Sequence, residues 1–248
     1  MPVVRTSPSR SPADLVSRQE PLPPLRGERV TARRERSIEL MQALHEAYPD
    51  AHCALTYETP FQLLIATILS AQCTDARVNM ATPALFAAYP TPEAMAQAPI
   101  ADLERLVQST GFFRQKAKNI LATAIRVTDV YGGELPHTLA ELTTLPGAAR
   151  KTGNVVISNC FPEHAEGIAV DTHVQRIARR MGMTRAWEPE KIETELMKLL
   201  PRDEWNHVTH HMIDHGRAIC RAPRPLCDSC PIAIASRCPS RERFTGAG

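Results

Sequence analysis

Leu139-Ala-Glu-Leu-Thr-Thr-Leu145, Pro146-Gly-Ala-Ala-Arg150 and Lys151-Thr-Gly-Asn-Val-Val-Ile157 follow one another without a break, and Ile168-Ala-Val-Asp171-Thr-His173-Val-Gln-Arg176 comes shortly after. The first three pieces read as a helix, a five-residue turn and a second helix. Gly147 accepts a positive φ in the turn, and the backbone N–H groups that open the second helix have no partners within it. With the positive end of the helix dipole they form an anion site suited to a DNA phosphate and indifferent to base sequence. An ordinary helical hairpin has the same outline, so the turn alone leaves both readings open.

Lys151 falls in the first turn of that second helix, where the dipole opposes its charge. The same field favours the neutral amine that a nucleophile or Schiff-base former needs. The plainer reading is a solvated lysine that touches phosphate. Asp171 ends an apolar segment and begins a helix, which makes it an N-cap. A cap carboxylate is held in place, so a chemical role is compatible with the structural one.

Outward from this region the pattern is helical almost throughout. Residues 37–48 place Ile38, Met41, Leu44 and His45 on one face. Thr59 with Pro60 opens the strongly apolar stretch 61–70. Further amphipathic segments run over 74–89, 91–97, 100–109, 114–131, 138–143, 150–160, 172–182, 189–200 and 204–220, and nothing alternates convincingly with period two. The expected class is all-α, with short helices and tight loops.

Of the 21 prolines six lie in the first 30 residues, and residues 1–36 carry eight arginines against four acids. That balance of +4 against a chain total of +2 leaves the remainder at −2. Residues 1–36 read as a disordered basic arm, either a solubilising tail or an auxiliary DNA contact. The rest is not generally basic, so any hold on DNA must come from local devices. No apolar run is long enough for a membrane span and no export signal is apparent, so neither a membrane nor a disulfide-forming compartment is expected.

Of seven cysteines, four crowd into C-x6-C-x2-C-x7-C at Cys220, Cys227, Cys230 and Cys238. Four thiolates in so short a span are ligands for zinc or for an iron–sulfur cluster, and two separated C-x2-C knuckles, the usual zinc arrangement, are not present. Arg221 and Arg224 lie among prolines between the first two, well made for phosphate contact. His207, His211 and His215 recur at helical spacing, but no acidic or thiol partner completes a metal face. Cys53, Cys73 and Cys160 read as buried small hydrophobes.

LPGAARKTGNVV (145–156) followed by IAVDTHVQRIARR (168–180) closely resembles the helix–hairpin–helix and aspartate loop of the endonuclease III family. TPFQLLIATILSAQCTD (59–75) and TGFFRQKAKNI (110–120) resemble earlier segments of the same family, so the likeness covers residues 37–240 in order. It implies a six-helix domain at 53–164, a cluster domain formed by 37–52 with 165–240, a tail at 241–248, and a cleft with Lys151 and Asp171 on opposite sides. It also implies a [4Fe–4S] cluster and a DNA glycosylase and abasic-site lyase of base excision repair, acting on oxidised pyrimidines.

In that resemblance Lys151 attacks the sugar and Asp171 assists, while Gly147, Ala149 and Arg150 meet the strand. Gln72 and Phe112 fill the space left by the flipped nucleotide, and Ser70 and Asp75 line the pocket. The partner is double-stranded DNA with damaged bases or abasic sites, the chain a monomer, and its place the cytoplasm at the bacterial nucleoid, or a nucleus or organelle in a eukaryote.

Three departures stand out. The family's Gly-x-Gly is Gly147-Ala148-Ala149 here, which hinders a phosphate and disfavours positive φ at 149. Phe112 replaces a leucine-like wedge, and the last cysteine spacing is longer by two. A pyrimidine-dimer glycosylase and a catalytically weak paralogue that only binds damaged DNA remain as alternative readings.

Overall fold

The computed structural model describes residues 27–232 and 238–245, and every regular element among them is a helix. Val30–Ala47 (α1), Pro60–Leu69 (α2), Asp75–Ala88 (α3), Pro92–Ala96 (α4), Ile100–Val107 (α5) and Phe113–Tyr131 (α6) come first. Leu139–Leu142 (α7), Arg150–Cys160 (α8), Thr172–Arg180 (α9), Pro189–Leu199 (α10), Trp205–Ala218 (α11) and Arg241–Phe244 (α12) follow. The all-α expectation holds. Local chemistry sets the boundaries: Thr59, Thr74, Thr91 and Thr138 each accept a hydrogen bond from the N–H three residues on, capping α2, α3, α4 and α7. Pro60 and Pro92 stand at the first helical position, where the missing N–H costs nothing.

Backbone contacts divide the chain into two compact units. One comprises residues 52–169 and 201–209. At its centre is α2, whose residues 61–69 are all buried, the place for a helix apolar on every side. Helices α3, α6 and α8 pack against it, α4 and α5 lie on α6, and α7 lies on α8. Leu63, Leu64, Leu69, Leu85, Ile120 and Leu142 are wholly buried there, each worth about 1.5–3 kcal/mol of transfer free energy. The close approach of α7 to α8 needs Gly153, where a Cβ would stand 2.6 Å from Cδ1 of Leu139.

The other unit holds the described residues up to 51, then 170–200 and from 210 onward. In it α10 packs against α1 and α9. Helix α1 begins at Val30, ahead of the start at residue 37 read from the apolar pattern. Residues 27–36 are therefore part of the fold, while residues 1–26 of the expected basic arm lie outside the described residues. The reason is Arg36, only 8% exposed. Its guanidinium meets Glu28 with two bonds of 2.8 and 3.0 Å and donates to the carbonyls of Met181 and Gly182. The buried face of α1 is accordingly Arg36, Ser37, Leu40, Met41 and Leu44, with Ile38 and His45 only half-buried. No helix among the described residues is long and apolar enough to cross a membrane.

Candidate functional site

The hairpin between α7 and α8 is built around Gly147, which holds φ at +82°. Thr123 Oγ1 of α6 donates to the Pro146 carbonyl at 2.7 Å, pinning the turn to that helix. Ala149 is the N-cap of α8, with φ −79° and ψ 171° and no side-chain cap bond. The expectation that a methyl there strains a positive φ is thus corrected: the backbone is extended, which any residue adopts. Arg150 and Lys151 follow, both exposed, in the first turn of α8, whose N-cap residue makes no side-chain bond.

The charges of Lys151 and Asp75 both act on the Cys53 thiol. Burial pushes the Cys53 thiol up, the Leu55 backbone draws it down, and Asp75 raises it while Lys151 lowers it. Cys53, Cys73 and Cys160 are half-buried at the edge of the apolar core, less enclosed than their sequence context implies.

Two further turns in this unit carry left-handed residues that are not glycine: Gln72 at φ +55° and Phe112 at φ +48°, the only such residues among those described. Both are exposed, Phe112 at 74%. Left-handed backbone at residues with a Cβ costs about 1–3 kcal/mol each and persists where surroundings enforce it. Ser70 caps the end of α2 and donates to the Thr67 carbonyl at 2.8 Å, and Asp75 opens α3. Lys116, not singled out from sequence, is 4% exposed and donates from Nζ to the carbonyls of Leu69 (2.8 Å) and Thr110 (2.7 Å). A signal existed: position 116 falls on the buried face of α6 with Ala117, Ile120, Ala124 and Val127.

In the other unit Asp171 caps α9, its Oδ1 accepting from the N–H groups of His173 and Val174 at 2.8 Å each. Both bonds end on one oxygen, so the cap does not use Oδ2. Cys220, Cys227, Cys230 and Cys238 line a single small cavity of about 20 Å³, with Arg180, His215 and Phe244. Burial and the neighbouring thiols push Cys227 and Cys238 up to about 11. Four thiolates gather there only around a cationic centre.

Two polar groups face the ring: Arg180 Nη1 donates to Cys220 Sγ at 3.4 Å, and His215 Nε2 lies 3.9 Å from Cys230 Sγ. His215 is itself paired with Tyr48 at 3.0 Å, and burial with the nearby Arg176 charge pushes it down to about 4. His211 is buried against His45, whereas His207 is exposed, so the histidine repeat on α11 mainly packs. Arg221 and Arg224 are exposed, and Arg221 Nε donates to the Arg217 and Ala218 carbonyls.

Gly147, Ala149, Arg150, Lys151, Gln72, Phe112, Ser70 and Asp75 thus belong to one unit, and Asp171, the two loop arginines and the four cysteines to the other.

Comparison with known proteins adds three findings. Residues 65–202 match the model of the HhH-GPD superfamily base excision DNA repair proteins. The chain is 48% identical over 214 residues to endonuclease III of Synechocystis sp., covering 86% of this chain and 96% of that one, and 42% identical over 199 residues to that of Bacillus subtilis, covering 79% and 90%. Among solved structures it is similar to a trapped endonuclease III–DNA covalent intermediate, with a TM-score of 0.78 and 41% identity over 86% of this chain and 98% of that one.

Proposed function

Since the chain belongs to the HhH-GPD superfamily of base excision DNA repair proteins and, within it, to the endonuclease III family, we propose that Lys151 is its nucleophile and oxidised pyrimidines its substrates. The protein is a base excision repair DNA glycosylase and abasic-site lyase. The observation that carries the residue assignment is the exposed Lys151 in the first turn of a helix whose N-cap residue, Ala149, supplies no side-chain bond. There an amine lies beside N–H groups that bind a phosphate, so one element both holds the strand and attacks it.

The damaged nucleotide leaves the stack at a cost of a few kcal/mol, least for a poorly stacked lesion such as a saturated pyrimidine. Gln72 and Phe112 occupy the space it vacates. The neutral amine of Lys151 forms a bond to C1′ as the bond from C1′ to the base nitrogen breaks, and the base departs with a proton. Asp171 stabilises the positive character of the sugar and assists proton transfer. The sugar ring opens to a Schiff base on Lys151. The C2′ proton is then lost and the C3′–O bond breaks, releasing the 3′ phosphate ester; water later hydrolyses the Schiff base. Gly147, Ala149 and Arg150 hold the phosphates, Arg221 and Arg224 add contacts from the cysteine loop, and Ser70 and Asp75 line the pocket. One copy of the chain suffices.

The donor set fits a [4Fe–4S] cluster. Four cysteines line one cavity, the set of four thiol donors that such a cluster takes. When bound, the cluster cross-links the loop from Cys220 to Cys238 and so fixes Arg221 and Arg224.

Borohydride reduction on a duplex with one abasic site tests the nucleophile. A covalent adduct is expected with the wild type and not with Lys151→Ala. An adduct that survives Lys151→Ala moves the nucleophile elsewhere, and binding without any adduct would make the chain a damage-binding module.

A further inference from the structure

We propose that Lys116 is a positioning residue for lesion probing, its ammonium clasping the two turns that carry Gln72 and Phe112. The inference rests on the assignment of those two residues to the vacated space. Lys116 lies inside the first turn and a half of α6, on the face that otherwise buries Ala117, Ile120, Thr123, Ala124 and Val127. An apolar residue there would continue the core. The ammonium instead reaches two backbone carbonyls that belong to different turns, Leu69 at 2.8 Å and Thr110 at 2.7 Å.

Leu69 is the last residue of α2, where helix carbonyls lack partners and the dipole is negative, so a cation is well placed. Gln72 comes three residues later and is left-handed. Thr110 ends the 3-10 turn at Gln108–Thr110, itself 2% exposed, and left-handed Phe112 comes two residues later. The two left-handed residues therefore leave from points fixed to the same nitrogen. Burial disfavours the ammonium, with the nearby Cys73 acting in the opposite sense.

Burying an ammonium costs desolvation that an apolar side chain of similar volume avoids, so core packing alone does not explain a lysine here. A clasp does. A strained turn tied at its base keeps its exposed side chain in one place, whereas an untied one relaxes, and a displacement on the order of 1 Å near a reacting group costs up to about a hundredfold in rate.

The experiment compares two single-turnover rates in the same protein sample: excision of one thymine glycol paired with adenine, and strand cleavage at a preformed abasic site. Extruding a paired base needs the probing residues more than cleaving a site with no base. Their ratio is independent of how much of the sample is folded. Lys116→Met is expected to lower the ratio about tenfold or more, and Lys116→Gln, which keeps a donor without the charge, to lower it less. In a background carrying both Gln72→Ala and Phe112→Ala, Lys116→Met should lower it little further.

A ratio unchanged in Lys116→Met but reduced in Phe112→Ala overturns the clasp, as does a loss that simply multiplies with that of the Gln72→Ala, Phe112→Ala double variant. If neither Phe112→Ala nor Gln72→Ala changes the ratio, the probing assignment itself fails, and the clasp with it.

Discussion

Gly147 holds φ at +82° beside Asn119, whose Cβ would lie 3.0 Å and Nδ2 2.9 Å from any Cβ added at the glycine. Backbone and neighbour exclude a side chain independently. Gly147→Ala should cost about 1–2 kcal/mol for the left-handed conformation alone, and more if Asn119 cannot move. Thermal unfolding reads that cost. Because the turn also orients the start of α8, affinity for abasic-site DNA should fall at a temperature where the variant is still fully folded. A variant as stable as the wild type would show that the turn relaxes without the glycine.

Asp171 separates structure from chemistry by a choice of two substitutions. Asn caps a helix about as well as Asp, whereas Ala forfeits about 1 kcal/mol. Asp171→Asn should therefore keep the wild-type melting temperature and Asp171→Ala should not. If the carboxylate acts in base release, both variants lose excision by about 10²–10⁴-fold. Full excision by a stable Asp171→Asn enzyme would reduce Asp171 to a cap.

The seven cysteines should divide four to three. Serine at Cys220, Cys227, Cys230 or Cys238 should abolish the visible absorbance of purified protein and lower the stability of the unit that contains them, since cluster binding and folding free energy are linked. Serine at Cys53, Cys73 or Cys160 should leave the colour intact. A brown protein lacking any one of the four would refute the ligand set, and a colourless wild type containing zinc would replace the cluster.

Arg36 gives stability a specific dependence on acid. Its hydrogen bond to Glu28 is the main reason that this carboxyl is held below its ordinary value of 4.5, with burial opposing and the Arg36 and Arg33 charges adding. A depressed folded-state value means that the contribution is fully present above 4.5 and is lost as pH falls through the lower folded value. Glu28→Gln should therefore melt below the wild type at neutral pH, by roughly 1 kcal/mol, and the gap should close in acid. A gap that widens in acid would have the wrong sign for this pair.

What the sequence made legible was local. Thr59-Pro60 and Thr138 cap helices through bonds to neighbours three residues away, so their signals lie within a turn of their effects. Gly147 declared itself because only a glycine is at ease at its φ. Arg36 looked like one more charge of a basic arm because its carbonyl partners lie 145 and 146 residues away. The left-handed backbone of Gln72 and Phe112 leaves no mark in residue type, since neither is a residue that favours it. Lys116 was readable in principle, as a charge on an apolar helical face, but its purpose appears only when the ends of two other elements are seen to meet it.

Ala149 offers the sharpest test of how the hairpin binds DNA. It occupies the N-cap of α8 with extended backbone and supplies no cap, although Asp at this position would bond to the open N–H groups and complement the dipole. Ala149→Asp should thus stabilise the protein by about 1 kcal/mol. If those N–H groups are the phosphate site, the same change fills them and adds a negative charge, so affinity for an abasic-site duplex should fall by about tenfold or more, roughly the loss of one charge-assisted hydrogen bond. Ala149→Gly should act in the opposite direction on DNA. It opens room for the phosphate and tightens binding, while stability changes little, because glycine's better fit at an N-cap opposes the entropy of a freer unfolded chain. Gains and losses of opposite sign in stability and affinity at one residue are not produced by a general change in fold. Unchanged affinity in both variants would remove the start of α8 from the DNA interface.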